Sequence, residues 1–294
     1  MKRIGIIGAT GMIGKPVTNA FIEAGYDVKL FVRNIEKARQ YFSNSVQYQQ
    51  GDLRDPLAVK RFISGLEYLY LNLSVAQHSE KDDFQPERDG MDNIIAALKD
   101  SQVRRIGYLS SLAHWYEGQN GFHWWVFELK RAALHKIRSS GVPHSIFYPS
   151  TFMENFDKGA YRQGNIIALS GESRFKMFLI AGKDYGRQVV KSFETENGYQ
   201  EFVVQGQEGF TADEAAALFK QFSGNKKLKI VKAPFGFLKL AALFSNKFQY
   251  GAKMIEALNN YPEKFEAEET WNILGKPQTI FKDYILGENK IGFK

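Results

Sequence analysis

The chain opens Met1-Lys-Arg-Ile-Gly-Ile-Ile-Gly-Ala-Thr-Gly-Met-Ile-Gly14, and the reading of this stretch decides the fold. The apolar run Ile4–Ile7 reads as a strand, glycines follow at Gly8, Gly11 and Gly14, and Met12–Ala24 reads as an amphipathic helix ended by Gly25. A strand that turns through glycines into a helix N-terminus is suited to gripping a dinucleotide pyrophosphate. Gly8 permits the tight turn, Gly11 removes a Cβ that would obstruct the phosphates, and Gly14 lets helix and strand pack closely. Thr10, Met12 and Ile13 complete the loop. The first N–H groups of the helix and its partial positive charge then face the anion. The spacing is G-x-x-G-x-x-G, one residue longer in its first interval than the common G-x-G-x-x-G. A plain glycine-rich turn is the competing reading. Placement directly after an N-terminal strand favours the nucleotide.

Outward from this loop, strand and helix alternate. Strands are expected over Asp27–Val32, Val46–Gln50, Tyr68–Leu73, Arg105–Leu109 and His144–Tyr148. Helices are expected over Ile35–Phe42, from the Asp55-Pro56 cap to Ser64, and over Arg88–Asp100 and Trp124–Ser140. Repeated βα units predict an α/β fold, a doubly wound parallel sheet with helices on both faces. Ligands bind at the carboxyl ends of such strands, where Gly8–Gly14, Arg33, Asp52, Ser74, Ser110 and Pro149 all fall.

Beyond Pro149 the alternation loosens. Helices are expected over Asp184–Thr195, Thr211–Phe222, Phe235–Phe244 and Lys253–Leu258, with a strand over Gln200–Val204. Thr211-Ala-Asp-Glu214 is a capping box. The expected division is a nucleotide domain over residues 1–155 and a smaller α+β substrate lobe over 156–294, with some of its segments returning to the sheet. Phe237, Leu240, Ala241 and Phe244 share one helical face and read as lobe core rather than a membrane anchor.

The 294 residues, 44% hydrophobic and 24% charged, suit a globular enzyme. There is no cysteine, which excludes disulfides, thiolate nucleophiles and cysteine-held metals and fits a reducing, cytoplasmic setting. The histidines show no zinc-site spacing, so no metal is expected. Net charge is +7, with lysines spread from Lys220 to Lys253 over helix, loop and strand. That spread reads as a solvated face, and no nucleic-acid motif accompanies it. Met1-Lys2-Arg3 before an apolar run mimics a signal peptide, but glycines interrupt the run and no cleavage site follows. Ala233–Phe244 is too short to span a bilayer and contains Lys239, so no membrane partner is expected. The oligomeric state is open.

Candidate chemistry follows strand by strand. Arg33 ends strand two, where an NAD site usually places a carboxylate; a guanidinium there favours a 2′-phosphate, so NADP(H) is expected over NAD(H). Lys37, one turn on, is a second cation for it. Asp52 can accept the adenine amino group while Leu53 covers the ring, or it can simply cap its own turn. Ser110, with Ser111, ends strand five beside the expected nicotinamide and can bond a substrate carbonyl or serve as a cap. Lys130 can hold the nicotinamide ribose and assist proton transfer. Trp115, Tyr116, Phe122, His123, Trp124 and Trp125 crowd the loop after strand five. They read either as an aromatic wall for a flat acceptor, with His114 or His123 as proton donor, or as local core.

Taken together, G-A-T-G-M-I-G, V-R-N at strand two, G-D-L at 51–53, Y-L-S-S-L at 108–112 and Lys130 resemble the atypical short-chain dehydrogenase/reductases. Pro149-Ser-Thr-Phe-Met-Glu-Asn155 resembles a segment of their NmrA-like branch. The resemblance implies an extended Rossmann domain with a small substrate lobe. It implies NADP(H) bound by the glycine loop, Arg33, Leu73, Ser74, Lys130, Tyr148 and Pro149, with Phe152 and Asn155 in the substrate pocket. Two departures matter. Val126 stands where Y-x-x-x-K places its tyrosine, and Tyr148 replaces the arginine common before the proline. Two readings remain: an NADPH-dependent reductase of a quinone or enone, or a redox sensor that acts on a protein partner without turnover.

Overall fold

The computed structural model describes residues 2–42 and 46–291; residue 1 and residues 292–294, the outer ends of the two expected domains, lie outside it. β1 (Arg3–Ile7) buries Ile4 and Ile6 completely, as a strand covered on both faces must. The chain then turns at Gly8, where the Gly11 amide donates to the Gly8 carbonyl at 3.2 Å. This turn delays α1 to Gly14–Glu23, two residues later than the apolar pattern suggests. β2 (Asp27–Val32), α2 (Ile35–Arg39), β3 (Gln47–Gln50), α3 (Pro56–Ile63) and β4 (Tyr68–Leu71) follow as expected in type. Asp55 caps α3, accepting from the Leu57 and Ala58 amides. Residues 86–90 form one wide π turn, so α4 begins only at Met91–Leu98. β5 (Arg105–Leu109), α5 (Trp125–Arg138) and β6 (His144–Pro149) complete the first half.

The seven-stranded sheet runs β10-β6-β5-β4-β1-β2-β3, with β10 at Tyr199–Val204, and every pair is parallel. The order reverses between β1 and β4, and this switch point sets where a ligand can lie. The second half contributes to this sheet. Beyond α6 (Glu154–Asp157), β7 (Arg162–Gln163), β8 (Ile166–Ser170) and β9 (Met177–Phe178), α7 (Gly182–Ser192) packs on α1 and β10 extends β6. Close approach of α7 is enforced by Gly186, where a Cβ would stand 2.9 Å from the Pro16 carbonyl. Phe21, Tyr185 and Phe193 fill this layer, and the Tyr70 and Tyr185 hydroxyls meet at 2.9 Å inside it. Phe62, Ile94 and Ile137 of α3, α4 and α5 fill the other.

The lobe is built from β11 (Gly209–Phe210), α8 (Ala212–Phe222), β12 (Lys229–Ala233), α9 (Phe235–Ala242), α10 (Asn246–Asn260) and α12 (Phe281–Ile291), together with α6 to β9, while α11 (Glu268–Leu274) packs back on α7 and β10. β12, β8 and β7 form a small sheet, and Phe156, Tyr161 and Phe281 sit in its core. The capping box at Thr211 is present. One expectation fails. The stripe of Phe237, Leu240, Ala241 and Phe244 is not lobe core: α9 buries none of its residues. It packs along α10, and Phe237, Leu240 and Phe244 stay exposed. The apolar pattern correctly marks a helix, but no second layer covers it. Lys253–Leu258, read as a short helix, is the later part of α10.

Candidate functional site

The glycine loop is shaped by its own backbone. Gly8 has φ 85°, and a Cβ there would stand 2.1 Å from the Asn72 carbonyl at the end of β4. At Gly14 a Cβ would stand 2.0 Å from the Gly8 carbonyl. Gly11 is different: it is exposed, and its nearest neighbour would be Gly8 O at 3.3 Å. Gly8 and Gly14 therefore hold the loop together, while Gly11 leaves its outer side open. The amides of Met12, Ile13 and Gly14 meet no acceptor among the described residues. Three free donors at a helix N-terminus make an anion site.

Arg33 lies exposed at the end of β2 and forms no ion pair among the described residues. Asn34 caps α2 by accepting from the Lys37 amide at 2.8 Å, which leaves the Lys37 side chain exposed one turn further on. Asp52 is committed to its own turn: its carboxylate accepts from the Arg54 amide at 2.9 Å and meets the Arg54 guanidinium at 3.4 Å. Leu53 packs against Gly90, and its carbonyl accepts from Asn93.

From this rim a cleft of about 290 Å³ runs between sheet and lobe. Met12, Leu73, Ser74, Ser110, Lys130 and Pro149 line the sheet side. Phe152, Asn155, Tyr161, Met177, Met254, Leu258 and Tyr261 line the lobe side, much of it apolar. Ser110 Oγ is buried and has no hydrogen-bond partner among the described residues. Ser111 serves as a cap, accepting from the Ala113 amide. Glu263 also reaches the cleft, accepting from Ser150 at 2.9 Å and Gln205 at 2.7 Å; burial pushes its carboxyl up.

Lys130 is held in place from below. Its Nζ donates to Glu87 Oε1 at 2.7 Å, and the Tyr108 hydroxyl donates to the same oxygen at 2.7 Å. Glu87 is fully buried and Lys130 is 14% exposed, at the cleft. Burial, then Glu87, pushes the Tyr108 phenol well up, so it stays protonated and donates. Glu87 arrives through the π turn, whose wide first residues carry its side chain inward. Sequence reasoning missed it, as it missed Asn72, Tyr261 and Glu263. A glutamate 43 residues before its lysine leaves no local signal.

Several expected pocket residues stand elsewhere. Trp115, Tyr116 and Trp124 do not line the cleft. Trp115 packs on Tyr148, Tyr116 on Phe122, and Trp124 on Phe127 and Tyr250 of α10. The aromatic loop is a seat for α10, where Trp124 meets Tyr250 edge-on at 4.9 Å and Lys253 lies over Phe122. Tyr148 turns away as well, donating to Glu201 at 2.7 Å and accepting from Arg138 at 2.9 Å. Neither expected proton donor reaches the cleft: His123 is exposed beside Glu117, and His114 is buried against Tyr148.

Burial lowers the His114 pKa from 6.5 to about 4, so the ring is neutral at neutral pH. The unfolded chain takes up this proton more readily, so the native state loses stability as pH falls from about 6.5 towards 4. The loss amounts to about 3 kcal/mol. Denaturant unfolding at neutral pH and near the lower limit should show it, and His114→Phe should flatten the difference. An undiminished difference in the variant would assign the acid sensitivity to other groups.

A glycine cradle at the switch point of a parallel sheet, opening on a cleft shared with a second lobe, defines a dinucleotide-binding protein of the doubly wound class. The chain belongs to the NAD(P)H-binding family, which matches residues 8–196. It is similar to the photosystem II assembly factor Ycf39 of Trieres chinensis, 24% identical, with 96% of this chain and 91% of that protein covered. In structure it is similar to a nucleoside-diphosphate-sugar epimerase from Staphylococcus aureus, with TM-score 0.74 and 18% identity over 97% of this chain and 100% of that one. It is also similar to an NADPH-dependent quinone oxidoreductase from Escherichia coli complexed with NADPH, with TM-score 0.72 and 18% identity over 97% and 99%. The fold is thus one also seen in an epimerase and a quinone oxidoreductase. An epimerase and a reductase share this fold and an assembly factor is similar in sequence, so the fold alone does not set the function.

Proposed function

We propose that this protein binds NADP(H) in preference to NAD(H) and uses NADPH to reduce a small planar acceptor, a quinone or a conjugated enone. The observation that carries the reading is the cleft itself: small, mostly apolar, with the Lys130 charge and the unpaired Ser110 hydroxyl at its sheet side. The rim fits a phosphorylated dinucleotide. Among the described residues it offers amides at 12–14 without an acceptor, a backbone cradle at Gly8 and Gly14 that a Cβ would fill, and an Arg33 without an ion pair.

When bound, the dihydronicotinamide supplies a hydride. The chain's own residues bind and orient. Lys130, fixed by Glu87, orients the ribose hydroxyls and stabilises negative charge on the acceptor oxygen. Ser110 donates to the acceptor carbonyl. Phe152, Met177, Met254 and Leu258 cover the ring faces, with Asn155 beside them. Val126 is buried core, so no phenol stands at the usual proton-transfer position. Such a site favours reactions governed by positioning over those needing a strong base.

The test is NADPH consumption, followed at the nicotinamide absorbance, with a panel of quinones and enones. Turnover that falls in Lys130 variants supports the reductase. Bound NADPH without turnover would overturn it and favour a second reading, a non-catalytic NADP(H) sensor with a protein partner, which the likeness to an assembly factor supports. Cofactor choice has its own test. Arg33→Asp should weaken NADPH binding about 100-fold, as loss of a forked charge-assisted pair does, with NADH binding little changed. Equal losses for both would remove Arg33 from the 2′-phosphate.

A further inference from the structure

Helices α9 and α10 form an elbow with an unusual surface. Phe237, Leu240, Leu243, Phe244 and Phe248 are 68%, 56%, 76%, 84% and 49% exposed. Single exposed apolar side chains are ordinary, but large ones concentrated on one short segment mark a contact surface. Leu243 and Phe244 are the most exposed of these and flank an open hollow with His78, Lys247 and Gln249.

Charge says what that surface meets. Between Glu214 and Glu256 the sequence has no acidic residue, while lysines recur from Lys220 to Lys253. Lys232 is paired with Asp213, but Lys239 and Lys247 are exposed among the apolar side chains. Glu80 meets the base of the elbow, accepting from Asn246 at 3.2 Å, and Tyr250 and Lys253 seat α10 on Trp124 and Phe122. The elbow is therefore anchored on one side and apolar and basic on the other. A second copy would set lysine against lysine. No helix of the described residues is long and apolar enough to cross a membrane, and α9 has only 8 residues. A short apolar helix flanked by lysines fits the headgroup and acyl boundary of an anionic bilayer.

We propose that the α9–α10 elbow docks on an anionic lipid bilayer, with its phenylalanines and leucines entering the acyl boundary and Lys239 and Lys247 meeting the headgroups. The proposal is independent of the reductase reading. The same α10 carries Met254 and Leu258 on its inward face into the cleft wall.

Flotation of the full chain with vesicles tests it. Vesicles of phosphatidylcholine and phosphatidylglycerol in equal amounts should carry the protein. Phosphatidylcholine alone should bind it about 25-fold more weakly, and high salt should release it. The double variant Leu243→Asp, Phe244→Asp should lose binding while keeping NADPH binding, which checks its fold. Lys239→Ala and Lys247→Ala should each weaken binding about fivefold. Failure of the wild-type chain to float with anionic vesicles overturns the proposal, as does flotation that the double variant leaves intact. A concentration-dependent dimer that the double variant breaks, without vesicle binding, also overturns it and gives the patch to self-association.

Discussion

Replacing Lys130 with methionine is expected to lower turnover about 100-fold, the scale of a lost group positioned for proton transfer and charge stabilisation. It should also destabilise the fold by about 3 kcal/mol. The second effect comes from Glu87. Its carboxyl is fully buried, and it is held by Lys130 and Tyr108. Without the ammonium, one neutral phenol faces a buried carboxylate, and breaking a buried pair costs more than the pair was worth. The two effects separate in a cycle. Glu87→Leu added to Lys130→Met should restore much of the stability, measured by denaturant unfolding, yet leave turnover low at saturating NADPH. If the double variant regains turnover, the lysine serves only to neutralise Glu87 and has no part in the chemistry.

The glycine loop gives the other large effect. Gly14→Ala drives a Cβ to 2.0 Å from the Gly8 carbonyl and 2.8 Å from the Ala9 carbonyl, both backbone atoms with nowhere to go. The loop must open, costing about 2 kcal/mol as overpacking does. NADPH binding should fall about 100-fold as the amides at 12–14 lose their alignment. Gly11→Ala is the contrast. Its Cβ would meet Gly8 O at 3.3 Å and otherwise face outward. It should leave thermal unfolding nearly unchanged and still weaken NADPH, because the methyl stands where the phosphates approach. Fluorescence titration beside thermal unfolding checks both. A stable Gly14→Ala protein with full affinity would refute the packing role argued for that glycine.

The aromatic loop shows how composition can mislead. Trp115, Tyr116 and Trp124 are close in sequence to Ser110 and Ser111, and an aromatic wall beside a nicotinamide is a reasonable expectation. Their rings instead close on Tyr148, Phe122 and Tyr250. For Trp124 the partner comes from α10, which brings Tyr250 from 126 residues further along the chain. The α9 stripe is the converse case. Its spacing gave the helix correctly and its burial wrongly, because periodicity reports which residues share a face and not whether anything covers it.

The sequence by itself determined the parallel α/β sheet, the glycine cradle and its place after β1, the strand ends that carry Arg33, Ser74, Ser110 and Pro149, and the absence of a phenol at Val126. These are local properties: periods of hydrophobicity, glycines where a Cβ cannot fit, and residues at the ends of short runs. Tertiary structure alone decided which segments of the second half, α7 and β10, return to the sheet, that Glu87 and Tyr108 fix Lys130, that Glu263 enters the cleft, and that the α9–α10 elbow faces outward. All but the last are contacts between segments far apart in the chain, and the last is the lack of one. Burial, pairing and exposure arise only when such segments meet, and no window of sequence contains both partners.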